Sequence, residues 1–331
     1  MFQKVRQLPG GPSFFCFLEI QLVRLSEFYK SVFGCKVYKV AIDAGCTCPN
    51  RDGSKGVGGC VFCSGSGSGD FASDRNLSIK EQIERGKTKV LSKLAGRSGR
   101  RDGKFIAYFQ NFTSTYGDED ELEEKYREAL SCEGVVGIAI ATRPDCIGAD
   151  ILGRIAKISE ESFVQLELGL QTSNEVTGRL INRCYTDIDY ENAVRSIKSA
   201  SPKIHIVTHL IFGLPRESRG DMMESVRFVV DNCSSGGKSF HPFGLKITVL
   251  YVVRNTVLAR MYENGVFSCL EKSEYYDLVS RALRILPPET VIHRLTGDPP
   301  KSILLAPSWT SDKKRVMNEL KKIIEEVEGN P

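Results

Sequence analysis

The chain has 331 residues, 41% of them hydrophobic, 26% charged and 9% aromatic, with a net charge of +4. This length and composition exclude a disordered chain, a collagen-like repeat and a disulfide miniprotein, and allow a substantial core in one large or two medium domains. The small positive charge permits a nucleic-acid partner without pointing to one.

Residues 1–30 match no repeating unit and are expected to form an extension or a covering helix. Within them the apolar stretch 14–23, FFCFLEIQLV, is interrupted by Glu19 and Gln21. A membrane span needs about 20 apolar residues and a secretory signal needs a small-residue cleavage site after its apolar region, so neither is expected and no membrane partner is. The expected compartment is a reducing cytoplasm, where thiols persist as metal ligands, small hydrophobes or nucleophiles.

From Lys36 onward, β-rich apolar runs at 37–44, 105–110, 135–143, 163–171, 204–215 and 245–253 alternate with helical patterns at 78–94, 118–130, 151–158, 190–199 and 220–232. A further helix at 273–285 follows the last run. The runs lack strict polar alternation, as strands buried on both faces of a parallel sheet do. Six βα units joined by right-handed crossovers give an open doubly wound sheet or a curved, incomplete barrel, with the chemistry at the C-terminal strand ends in either case. After Pro287-Pro288 the pattern changes to TVIHRLTGDPP and then to a charged helix at 311–328. The expected division is an N-terminal extension at 1–30, a core at 31–286, and a C-terminal segment with its helix at 287–331.

The 11 cysteines are odd in number, so they cannot all pair within the chain. Three of them, Cys48, Cys60 and Cys63, share one Gly-rich loop after the first predicted strand, CPNRDGSKGVGGCVFC. The Cys60/Cys63 pair can turn two thiolates onto one metal centre, and Gly53, Gly56, Gly58 and Gly59 let backbone N–H groups approach the sulfurs. Two metals suit the loop. A structural zinc needs a fourth ligand, for which Cys46 is the nearby candidate. A [4Fe-4S] cluster on three thiolates leaves one iron open to bind and reduce something else.

The loop, followed by SGSGSGDFA, resembles the cluster loop of the radical S-adenosylmethionine (SAM) superfamily. Its long first spacing is similar to that of the elongator catalytic subunit and, more closely, of YhcC-type radical SAM proteins. The resemblance runs from about Phe28 to about Trp309 and takes in YFQNFTSTYG (108–117), ATRPD (141–145), ELGLQT (167–172), LINR (180–183), HLIFGLP (209–215) and HRLTGD (293–298). Cys46 stands where relatives usually carry an aromatic residue. The residues after the core are too few for the acetyltransferase domain of the elongator subunit, so that activity is not expected.

The resemblance implies an α/β fold, a partial (βα)6 TIM-like barrel with a short C-terminal helical extension. It implies a [4Fe-4S] cluster on Cys48, Cys60 and Cys63 and SAM at the strand ends. The reduced cluster would cleave SAM to a 5'-deoxyadenosyl radical that acts on a substrate. By likeness to the oxygen-independent coproporphyrinogen oxidase, Gln171 and Arg183 contact SAM, with Arg183 on its carboxylate, where a guanidinium fork fits. The plainer reading of Arg183 is a cation at a helix end. Gly213 brings backbone near the adenine or only ends a strand. His209 faces the ribose or the substrate, or is a hydrogen-bonded core histidine. The short Gly-Gly-Glu segment usual after the second strand is absent, and Gln110 or a backbone carbonyl takes its place. Arg143 binds an anionic substrate group or the SAM carboxylate, or pairs with Asp145 or Glu167. His293 and Arg294, with Asp298, form a substrate-side lid or a self-bonded turn. The catalytic residues proper are left open. The partners implied are an electron donor and an unidentified substrate, with tRNA suggested by kinship to the elongator subunit and a small molecule as the other choice. A competing reading is a non-catalytic zinc-binding or RNA-interacting module whose cysteines hold zinc.

Overall fold

Each of the six apolar runs forms a strand, and the strands lie side by side in chain order. The computed structural model describes residues 22–65, 67, 73–98, 103–234 and 242–329. The chain enters through a short strand β1 (Val23–Arg24) and helix α1 (Leu25–Phe33). It continues β2 (Val37–Ile42), α2 (Ile79–Ser98), β3 (Lys104–Phe109), α3 (Glu119–Ser131), β4 (Val135–Thr142), α4 (Ala149–Glu161) and β5 (Phe163–Gln171). Then come α5 (Glu175–Leu180), α6 (Asp187–Ala200), β6 (His205–Phe212), α7 (Arg219–Ser234), β7 (Gly244–Val249), β8 (Val252–Val253) and α8 (Val257–Glu263). The last elements are α9 (Lys272–Arg284), β9 (Val291–Arg294), β10 (Leu304–Ala306) and α10 (Lys313–Gly329).

Local chemistry sets the helix boundaries. Asp118 caps α3 by accepting from the N–H groups of Asp120 and Glu121, and Thr186 caps α6 in a reciprocal box with Asp189. In α4 the buried Ile151, Leu152, Ile155 and Ile158 follow the helical period and pack on the outer face of the sheet.

The main sheet runs β2-β3-β4-β5-β6-β7-β9-β1, every pair parallel. It is curled. Lys39 of β2 and Lys246 of β7 both reach the carboxylate of Glu167 on β5, although a flat sheet would hold β2 and β7 about 24 Å apart at its usual strand spacing. Among the described residues β1 and β2 remain as free edges and the barrel does not close.

Six strands were expected, and among the described residues the sheet has eight. The additions are β9, which enters between β7 and β1 from the segment after 287, and β1, which belongs to the region read as an extension. Runs of two and four residues are too short for periodicity to declare them. Of the apolar stretch 14–23 only the last two residues are described; the rest, with Cys16, lies outside the described residues. Helix α1 plugs the N-terminal end of the curl, where Phe28 and Tyr29 stack around Phe163 and His205. A second, antiparallel ribbon of β8 and β10 stands beside the opposite end. The charged helix expected at 311–328 is α10, and its apolar stripe of Val316, Leu320, Ile324 and Val327 is buried in the main core. No described helix is long and apolar enough to cross a membrane.

Candidate active site

The cysteine loop leaves β2 and folds back on itself through main-chain turns. Arg51 and Asp52 donate their N–H groups to the carbonyl of Cys48, Gly59 to that of Asn50, and Cys63 to that of Cys60 at 2.9 Å. Two glycines are required here. A Cβ on Gly56 would lie 2.2 Å from Asn50 Oδ1, and Gly59 combines a φ of +78° with the Arg51 side chain at 2.8 Å. Val61 N–H bonds the carbonyl of Ile181, and Asn182 donates to the carbonyl of Gly59 at 2.8 Å, which ties the loop to the segment after β5.

Cys48, Cys60 and Cys63 all line one cleft of about 1550 Å³, counted with its open mouth. Burial, with Cys63 and Cys48 nearby, pushes the Cys60 thiol up to about 12. Asn50 Nδ2 points at Cys60 Sγ from 3.7 Å and Arg143 Nη1 at Cys48 Sγ from 3.9 Å. The Cys60 thiol, so raised, needs a metal to stay deprotonated, and donors aimed at sulfur suit thiolates already bound to one. The donor set therefore fits a metal group. Among the described residues no three His, Cys, Asp or Glu side chains converge on a single-ion centre, as a zinc with bonds of about 2.3 Å demands. Cys46 does not join them: it is 8% exposed and packs in the main core. Among the described residues, Cys46 is therefore not available as the fourth ligand of a zinc site.

The strand ends build the cleft wall. Gln110, Arg143, Gln171 and His209 all line it. Gln171 ends β5 with a φ of +70°, and a Cβ on Gly169 would meet its amide nitrogen at 2.7 Å. Arg143 grips Asp145 with two bonds of 2.9 Å and donates to the carbonyls of Arg183 and Cys184, so of the pairings expected for it the one with Asp145 forms. Tyr185 lies between the guanidinium groups of Arg143 and Arg183.

Three expected residues stand apart from the cleft lining. Arg183 is fully buried, and its nitrogens are taken by the carbonyls of Tyr185, Leu170 and Thr172 and by Asp187. Gly213, at a φ of +90° just after β6, lies so close to Leu270 that a Cβ there would meet its side chain at 2.9 Å. His293 faces His205, with their Nε2 atoms 2.8 Å apart, while its neighbour Arg294 does line the cleft.

Beneath the rim lies a charged group that the sequence reading passed over. Glu167, 1% exposed, accepts from Lys39 at 2.7 Å, Tyr108 at 2.7 Å, His209 at 2.8 Å and Lys246. Despite burial, these cations and donors hold its carboxyl well below the usual range. Burial and Lys246 lower His209 to about 4, so its imidazole is neutral at pH 7. The available signal was a single lysine in the middle of each apolar run, VYKVAI and GLKITV.

A motif-bearing loop at the C-terminal end of a parallel half-barrel is matched by family comparison. The Radical SAM superfamily model covers residues 48–229, and the Radical_SAM C-terminal domain model covers 242–326. The chain belongs to the radical SAM superfamily. Within that superfamily it is 40% identical over 301 residues to the uncharacterized protein YtqA of Bacillus subtilis, covering 91% of this chain and 88% of that one. It is 32% identical to protein YhcC of Escherichia coli K12, covering 89% of each. The fold is shared with the archaeal Elp3 of Methanocaldococcus infernus, at a TM-score of 0.60 and 18% identity over 86% of this chain and 63% of that one. The chain is thus a YhcC-type radical SAM enzyme, and over 200 residues, 60% of this chain and 34% of that one, it is 28% identical to elongator complex protein 3 of Saccharomyces cerevisiae.

Proposed function

We propose that this enzyme holds a [4Fe-4S] cluster on Cys48, Cys60 and Cys63 and binds SAM in the adjoining cleft. When bound, the cluster supplies the electron that splits the SAM sulfonium into methionine and a 5'-deoxyadenosyl radical, which takes hydrogen from the substrate. The observation that carries this reading is that a single cleft joins the three thiols to the strand ends and the charged inner face.

The chain's own residues bind, orient and exclude water. Asn50 and Arg143 donate toward the sulfurs. The amides of Gln110 and Gln171, set on the cleft wall, are placed to hold the polar groups of SAM, and Tyr185 offers an aromatic wall beside them. Glu167 and Lys246, nearly buried at the base of the cleft, stand out of bulk solvent. An electron donor is required as a partner. Kinship to elongator subunits makes tRNA the first macromolecular substrate to test, beside small molecules. The basic C-terminal helix adds little to that case, because Lys313 pairs with Asp298, Arg315 with Glu319 and Lys321 with Glu325.

Anaerobic reconstitution should give about four irons per chain and a dithionite-reducible cluster, and SAM should then yield 5'-deoxyadenosine. A fully loaded, reducible protein that never cleaves SAM sinks the proposal.

A further inference from the structure

Three neighbouring strands present one row of basic side chains to the cleft. His209 on β6 is in register with Lys246 on β7, and Lys246 with Arg294 on β9. In a parallel sheet such neighbours stand about 4.8 Å apart. On the other side of His209 the row ends at Gly169, where the Gln171 amide occupies the space a side chain would take.

The row carries more positive charge than its surroundings balance. Lys39 and Lys246 share one carboxylate, Glu167, and His209 donates to the same group. Arg294 is exposed on the cleft wall and has no hydrogen-bond or ion-pair partner among the described residues. Among the described residues the other carboxylate that lines the cleft, Asp298, is held by Lys313. Burial and the neighbouring cations Lys39 and Arg294 push Lys246 down to about 7 even beside Glu167. Cations gathered in a partly desolvated cleft repel one another, and an anion placed among them removes that cost.

We propose that Lys246 and Arg294 form an oxyanion subsite on the inner face of the half-barrel, which holds a carboxylate or phosphate group of the substrate. A guanidinium takes such a group bidentately and the ammonium adds a point charge. Lys246 is 7% exposed, so the group it meets is compact and reaches below the rim. The inference deepens the radical reading by giving its substrate an anionic class, but its test does not pass through SAM.

The full-length reconstituted protein is titrated with inorganic phosphate or malonate, with chloride replacing either at constant ionic strength, and its melting temperature is followed. A saturable rise is expected, because an anion that binds only the folded state stabilises it. The tighter of the two anions identifies phosphate or carboxylate as the group recognised. Arg294→Gln, at an exposed and unpaired position, should raise the half-saturating concentration about tenfold, Lys246→Met should do the same, and Arg294→Lys should restore most of the response. Lys314→Gln on α10 should leave it unmoved. No saturable response, or an unchanged midpoint in Arg294→Gln, overturns the subsite. Release of 5'-deoxyadenosine from the same preparation judges the radical reading separately: anion binding without SAM cleavage overturns that reading alone, and cleavage without anion binding overturns the subsite alone.

Discussion

The ammonium groups of Lys39 and Lys246, carried on the first and sixth strands counted from the β2 edge, meet on the two oxygens of Glu167. This pairing ties the β2 edge to the sixth strand across the interior of the curl, a link that strand pairing alone does not make. A TIM barrel normally fills this space with branched apolar side chains. Charge in their place is costly to bury, so its presence marks a working surface rather than packing.

Replacing Glu167 with Gln should therefore destabilise the fold strongly. The variant keeps the shape but turns an amide N–H toward donors and leaves Lys39 and the buried Lys246 without a counter-charge, a loss of about 3–5 kcal/mol. Denaturant midpoints of Glu167→Gln and of Glu167→Gln/Lys246→Met measure it. The double variant should recover part of the loss, because it removes one of the stranded charges.

His209 makes stability depend on pH in a defined window. Its folded value of about 4 lies below the unfolded value near 6.5. Between these values the unfolded chain binds a proton that the native protein does not, so stability falls as pH drops from about 6.5 to about 4. The two values differ enough for at most about 3 kcal/mol over the window. His209→Gln should flatten that slope while leaving stability above pH 7 little changed by titration. Urea midpoints across the window check it, and an equal slope in both proteins rules the assignment out.

The strands and the cysteine loop were legible in the sequence for a physical reason. Strands buried on both faces read as continuous apolar runs, and a thiol triplet in a Gly-rich loop has no packing role to confuse it with. The charged inner face was not legible, because Lys39, Glu167 and Lys246 are far apart in the chain and meet only once the sheet curls. Arg183 shows the same limit. Its spacing from Gln171 says that the two are near, but not that the guanidinium turns into the backbone of Leu170 and Thr172.

Cys46 and Cys48, two residues apart, should respond in opposite ways. Cys48 lines the cleft and Cys46 packs in the core. Cys48→Ala should lose most of the iron and its visible absorption after reconstitution. Cys46→Ala should keep about four irons and cost only ~1 kcal/mol of stability, as loss of a small buried group does. Iron assay and denaturation on both variants decide the matter, and equal iron loss in both would return Cys46 to the ligand set.

Arg183 should behave as a positioning residue. Its guanidinium joins the carbonyls at the end of β5 to Asp187 at the start of α6, and through them it holds the strand end that carries Gln171 toward the cleft. Arg183→Lys keeps the charge but has too few donors to serve every partner, so buried carbonyls are left unpaired at a cost of about 1–3 kcal/mol each. The expected outcome is a clear drop in melting temperature with SAM affinity changed less than about threefold in the protein that remains folded. Calorimetric SAM binding compared with thermal unfolding separates the two effects. Loss of SAM binding in a variant as stable as the natural protein would instead place this side chain on the SAM carboxylate.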